Sequence, residues 1–221
     1  MKNIFLLSAI SLCFTSLGQI TQGRASYDLV FSSDDPQTSA YVSQMDGSTL
    51  EIYFYGDKTR SEMYMGEFMT TINIMDKNQD TTLTLLDGMM GKIAMKTTDD
   101  DMDDEQKLAM SERQVELVEG TKEIMGYTCK KAIITTTDGN ESIVWYTPEI
   151  VPNYREGQFL IDEIPGLPLE MTSKWGNMSI TCVAFEFNKK LKKTEKLFDT
   201  SVPDGFTLRT SEEMKQMRRG R

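Results

Sequence analysis

The chain contains no histidine among its 221 residues. That absence removes the commonest general base, the Ser-His-Asp and Cys-His nucleophile systems, and nearly every catalytic zinc arrangement. A Gly-rich phosphate loop and a dinucleotide fingerprint are missing as well. A carboxylate pair could still hydrolyse glycosides, and Glu170 and Glu186 fall in one predicted hairpin. Carboxylates on the polar face of a sheet are ordinarily just solvated, so no catalytic residue, cofactor or metal is assigned. Basic patches are also absent apart from the tail "KQMRRGR", which could touch a phosphate but reads as a solvated end. With a formal charge of −10, strong binding to nucleic acid is not expected. Long apolar runs are scarce too, and no segment reaches the roughly 20 residues that a spanning helix needs.

The longest apolar run is near the start. "MKNIFLLSAISLCFTSLGQ" has Lys2, an apolar stretch from Ile4 to Phe14 and small residues at Ser16 and Gly18. It reads as a secretory signal over residues 1–18, cut before Gln19. Cys13 is preceded by Leu12, not by the small residue a lipobox requires. The expected product is secreted across the inner membrane, periplasmic or on the outer surface, and does not span the membrane. Of three cysteines, Cys129 and Cys182 remain after cleavage. They form either one disulfide between distant strands or two buried thiols packed as small hydrophobes.

What the sequence does have is alternation at period two, in short runs between turn residues. "EIYFYGDKTRSEMYMGEFMTTINIMDKNQDTTLTLLDGMMGKIAMK", Glu51 to Lys96, reads as a five-stranded meander. It places Ile52 with Phe54, Met63 with Met65, Ile72 with Ile74, Leu83 with Leu85, and Ile93 with Met95. Connections this short join antiparallel neighbours. An acidic excursion over 99–113 follows, either a solvated loop or a calcium loop without the ligand spacing of an EF-hand. "GYTCKKAIITTTDGNESIVWYT" reads as a hairpin about Asp138-Gly139, pairing Ile133 with Val144 and Ala132 with Trp145. The connection "IVPNYREGQFLIDEIPG" is irregular. A second hairpin turns at Gly176-Asn177, setting Trp175 opposite Met178 and Met171 opposite Cys182, with a bulge near Val183-Ala184 that passes the apolar pattern to Phe185 and Phe187. Thr210 and Glu213 form a capping box for a short helix near 210–217.

Sixteen methionines are several times ordinary usage. Such flexible, polarisable side chains suit a surface that re-packs around apolar partners, and they also fill imperfect cores. The fold expected is mainly β (α+β), one domain over 19–221. Its single curved antiparallel sheet has too few helices to cover it and so curls into an open or half-closed barrel.

The segments "GYTCKKA", "VWYTPEI", "IPGLPLEM" and "VPDGFTLRT" together resemble secreted domain families of Bacteroidetes-type bacteria, the GLPGLI-like group and its relatives with a Cys-containing strand. Those families are similar to the LolA/LolB/LppX lipoprotein-carrier superfamily, an unclosed β-barrel. The resemblance implies an envelope protein that holds a lipid, acyl chain or lipoprotein in a half-barrel. The alternative is a structural or protein-interaction module whose core is closed. In the carrier reading, the ligand-binding residues are Phe54, Met63, Met65, Ile72, Ile74, Trp145, Leu167, Leu169, Met171 and Trp175. A Cys129–Cys182 disulfide would pin the second hairpin beside them.

Overall fold

The alternation between Glu51 and Lys96 produces the expected meander, and every break falls at a predicted turn. A computed structural model describes residues 19–219 apart from Glu67, 103–106, 108–111, Glu156 and Gln158. The predicted leader and much of the acidic excursion lie outside the described residues.

The chain opens with β1 (Gln22–Ser33), α1 (Pro36–Val42) and the meander β2 (Thr49–Tyr55), β3 (Lys58–Met65), β4 (Met69–Asp76), β5 (Gln79–Gly88) and β6 (Gly91–Thr97). It continues through β7 (Gln114–Ile124), β8 (Tyr127–Thr135), β9 (Glu141–Thr147), β10 (Leu167–Trp175) and β11 (Met178–Asn188). α2 (Thr194–Leu197), β12 (Thr207–Arg209) and α3 (Ser211–Arg219) complete it. All twelve strands form one sheet in the order β12-β6-β5-β4-β3-β2-β1-β11-β10-β9-β8-β7. Pairing is antiparallel except for β12 on β6. The sheet does not close, since β12 and β7 end it on opposite sides. This is the open, mainly β, single-sheet architecture expected from the sequence.

α1 was not foreseen. Asp35 accepts a hydrogen bond from the Thr38 amide at 2.8 Å, and Pro36 occupies the first helical turn, which is how a short helix starts. The capping box at the other end forms as expected. The Thr210 amide donates to Glu213 Oε2 at 2.9 Å, and the Glu213 amide to Thr210 Oγ1 at 3.2 Å.

The second hairpin has the predicted register, with Trp175 opposite Met178 and Met171 opposite Cys182. The bulge also exists: Ser26 pairs with Glu186 and Tyr27 with Ala184, so Phe185 is the extra residue. Phe185 therefore points outward, 54% exposed, and Phe187 alone carries the apolar pattern inward. The first hairpin needs a correction by one residue. Ala132 faces Val144 and Ile133 faces Ile143. The Thr136 amide donates to Asn140 O and Gly139 takes φ +80°. The loop is thus three residues with a left-handed glycine, not a two-residue turn.

The inner face is covered where β1, β2, β10 and β11 meet. Ala25, Tyr27, Leu50, Phe54, Leu167, Leu169 and Cys182 pack against Ile150 and Leu160 from the irregular connection. Tyr27 Oη donates to Pro168 O at 2.9 Å inside this core. Ile161 and Ile164 of the same connection cover Ala132, Val144 and Tyr146. The outer face is covered further along, where Val202 and Phe206 lie on Ile74, Leu83, Leu85 and Ala94.

The predicted disulfide is not formed. Cys129 and Cys182 are both buried and free. They lie on β8 and β11 with β9 and β10 between them, three strand spacings or roughly 14 Å along the sheet, whereas a disulfide needs α carbons within roughly 7 Å. The alternative reading, two buried thiols, is the one realised. Burial, reinforced by Glu123, pushes the Cys129 thiol up to about 11. Burial, reinforced by Asp28, pushes Cys182 up to about 12. Since only thiolates react, a thiol reagent will find neither group in the folded mature protein and both in denaturant, with an intact mass that reductant leaves unchanged. A mass increase of two hydrogens on reduction would contradict this arrangement.

Candidate functional site

Two hairpin tips and α1 converge at one end of the sheet. The β3–β4 turn brings Met65, Phe68 and Met69, and the β5–β6 turn brings Met89 and Met90. α1 and the turn after it add Tyr41 and Met45. With Leu86 and Ile93 from the strands they enclose a pocket of about 260 Å³. Five of the sixteen methionines line it, and among the described residues no charged side chain does. Met89 is 90% exposed at the mouth, and Tyr41, Phe68 and Met90 are also exposed. A group of large apolar side chains left open to solvent is uncommon on a protein surface.

Local backbone requirements place the tips. Gly66 adopts φ +53° in the first turn. Gly88 packs so closely on the neighbouring hairpin that a Cβ there would lie 2.7 Å from Phe68 O. Glycine at 88 is what lets the two methionine-bearing tips approach each other.

A second cavity, about 240 Å³, opens further along the same face. It is lined by Ile52, Thr59, Ser61, Asn73, Met75 and Thr82, with Gly157, Phe159 and Leu160 from the irregular connection. Arg60 lines it as well, and its guanidinium donates to Glu62 and to Leu197 O.

Of the residues expected to bind ligand, Met65 alone lines the methionine pocket. Phe54, Leu167 and Leu169 are fully buried in the filled core. Met63 and Met171 are half-buried against it. Ile72 and Ile74 occupy the opposite face, under Val202 and Phe206. Trp145 lies between two ammonium groups, Lys122 at 5.7 Å and Lys131 at 6.0 Å from its ring. Trp175 stands at the hairpin end, and its side chain is outside those described. The cavity expected beside Leu167 and Met171 is therefore solid protein, and the open pocket is at β3–β6. Sequence reasoning missed Tyr41, Met45, Phe68, Met69, Leu86, Met89, Met90 and Ile93. The available signal was the pair of turns "MGEFM" and "DGMMG", which hold apolar residues where turns are normally polar.

The carboxylates singled out earlier are both engaged by cations. Glu170 accepts from Lys122 Nζ at 2.5 and 2.7 Å, and Glu186 pairs with Arg24. In the acidic excursion, Asp101 caps its own turn, accepting from the Thr98 amide at 2.8 Å.

Residues 67–209, well over half of the chain, match the model of the N-glycanase peptide, N-terminal domain. The chain belongs to that family. No curated protein matches the sequence. Among solved structures, this family member is similar to PNGF-II in its P21 crystal form, with a TM-score of 0.55 and 18% identity over 89% of the present chain and 33% of that one. The chain thus spans about a third of PNGF-II, and the likeness establishes a shared fold. MucB is more distant, with a TM-score of 0.41 and 11% identity over 85% of this chain and 59% of its own. A LolA superfamily protein from Nitrosomonas europaea has a TM-score of 0.34 and 6% identity, over 81% and 91% of the two chains. Among the described residues, no helix is long and apolar enough to cross a membrane.

Proposed function

We propose that this protein is a non-enzymatic binding protein of the cell envelope, exported across the inner membrane, which shelters an apolar ligand such as an acyl chain of a lipid or lipoprotein. The observation that carries the reading is the methionine pocket. Five thioether side chains converge on a cavity that is open at its mouth, and thioethers adapt to apolar ligands of varied shape. The non-enzymatic part of the reading is supported by the ion pairs that engage Glu170 and Glu186 and by the absence of histidine. The activity of the longer PNGF-II chain is not transferred, because the likeness covers a third of it.

The test is native mass spectrometry of mature protein purified gently from its own envelope, followed by denaturing extraction of what it carries. A co-purifying acyl species is expected. A bare mass, together with refusal of added lipids, would overturn the carrier reading. The second reading, a protein-interaction module with a closed core, is favoured by one observation: Ile150, Leu160, Ile161 and Ile164 already fill the centre of the inner face. It predicts an envelope protein retained in pull-downs and no lipid.

A further inference from the structure

The inner-facing positions of β2 to β6 share a property that reaches beyond the methionine pocket. On β3 they are Thr59, Ser61, Met63 and Met65, and the register continues them through Asn73 and Thr84 to Met95. From Thr82 on β5 and across β2, β3, β4 and β6, this face carries no charged side chain. Lys58, Arg60 and Glu62 alternate to the other side, where they pair with Asp76 and with one another. The methionine pocket and the second cavity are therefore two ends of one uncharged track. Ser61 is four residues from Met65, roughly 13 Å along the strand.

The two ends differ in chemistry. The second cavity is lined by hydroxyls and an amide as well as by apolar groups. Thr59 is only 2% exposed, and its Oγ1 has no hydrogen-bond partner among the described residues. Buried hydroxyls are rarely left so. Asn73 is held in place, accepting from Thr84 Oγ1 at 2.8 Å, which orients its amide nitrogen toward Ser61. Among the described residues, the cavity thus offers neutral donors and acceptors, and its one lining cation, Arg60, is already engaged by Glu62 and Leu197 O. A carboxylate or phosphate entering it would lose its water without compensation, whereas a hydroxyl or ester would be satisfied.

We infer that the ligand is an uncharged amphiphile, its hydrocarbon in the methionine pocket and its neutral hydroxyl- or ester-bearing head in the cavity of Thr59, Ser61, Asn73 and Thr82. This rests on the carrier reading and names its substrate class. Free fatty acids and anionic lipids of the same chain length are disfavoured by the same geometry.

The test compares monolauroylglycerol, laurate and lauroyl lysophosphatidylglycerol as ligands of the mature protein at pH 7.4, by displacement of a bound hydrophobic dye. Monolauroylglycerol should bind at least about tenfold more tightly than either anion. Thr59→Val keeps the side-chain shape and removes the hydroxyl, so it should erase most of that preference. Thr82→Val serves as the second variant, with the same expected direction. Equal binding of all three ligands, or a preference that survives both variants, would overturn the inference and leave the carrier reading standing. Binding of none of the three would overturn both.

Discussion

Met69→Asp will abolish dye and acyl-chain uptake, with affinity falling by at least about a hundredfold. Met69 starts β4, opposite Met65 on one side and Gly88 on the other, so its side chain lies at the junction of the two tips that form the pocket. A carboxylate there faces thioethers and aliphatic groups, with no cation among the described residues that line the pocket. An acyl chain would have to bury that charge unpaired or leave the cavity. The fold should tolerate the change, because Met69 is at the end of a hairpin and only half-buried. Two comparisons isolate the effect. Met69→Leu conserves apolar volume and should bind nearly as well as the parent. Met89→Asp, at a position 90% exposed, should weaken binding far less than Met69→Asp. Unchanged dye binding in a folded Met69→Asp protein would place the apolar site elsewhere.

Gly166→Ala will destabilise the protein by about 3 kcal/mol or more, through overpacking that has no soft neighbour to absorb it. An ideal Cβ at Gly166 would sit 2.1 Å from Thr147 O, 2.8 Å from Thr147 C and 3.0 Å from the Tyr146 ring. The first two atoms are backbone of β9, which is held between β8 and β10. Gly166 is also where the irregular connection re-enters the sheet, as the next amide, Leu167, donates to Ile150 O at 2.8 Å. Relief of the clash would therefore move the connection whose Ile150, Leu160 and Ile164 seal the core. Denaturant unfolding of the variant should show a lower midpoint at an unchanged slope. Gly126→Ala is the control. Its φ is +77° but a Cβ there meets nothing within 4 Å, so only backbone strain of roughly 1–2 kcal/mol is expected. If Gly166→Ala proved no more costly than the control, the close approach to Thr147 would not be what fixes the connection.

This second prediction also explains why "IPGLPLEM" resembles a family signature. Pro165 and Gly166 make the corner at which β10 starts, and Pro168 frees its carbonyl for the buried Tyr27 hydroxyl. The corner leads into Leu167 and Leu169, which the sequence placed on the wall of an open cavity and which lie in the filled core.

Strand alternation was legible to the residue in β2 to β6, and the β10–β11 register followed from Gly176-Asn177, because both depend on neighbours only a few positions apart. The β8–β9 register was misread by one because Asp138-Gly139 suits two loop lengths, and the choice lay in the Thr136–Asn140 hydrogen bond. α1 was legible in "DDPQT" and was passed over. The disulfide was inferred from an even cysteine count, which carries no information on strand order. Only the sheet order, with two strands intervening, decides against it.

By itself, then, the sequence determined the mainly β class, the meander and which residues share a face, since side-chain direction along a strand is a local property of period two. Which part of the inner face would be sealed and which left open was decided by tertiary structure alone. Sealing depends on contacts such as Tyr27 with Pro168, 141 residues apart, and on where the irregular connection comes to rest. Its isoleucines settled over β1, β2, β10 and β11, whereas at the methionine-bearing tips of β3–β6 the side chains of Phe68, Met89 and Met90 stand exposed.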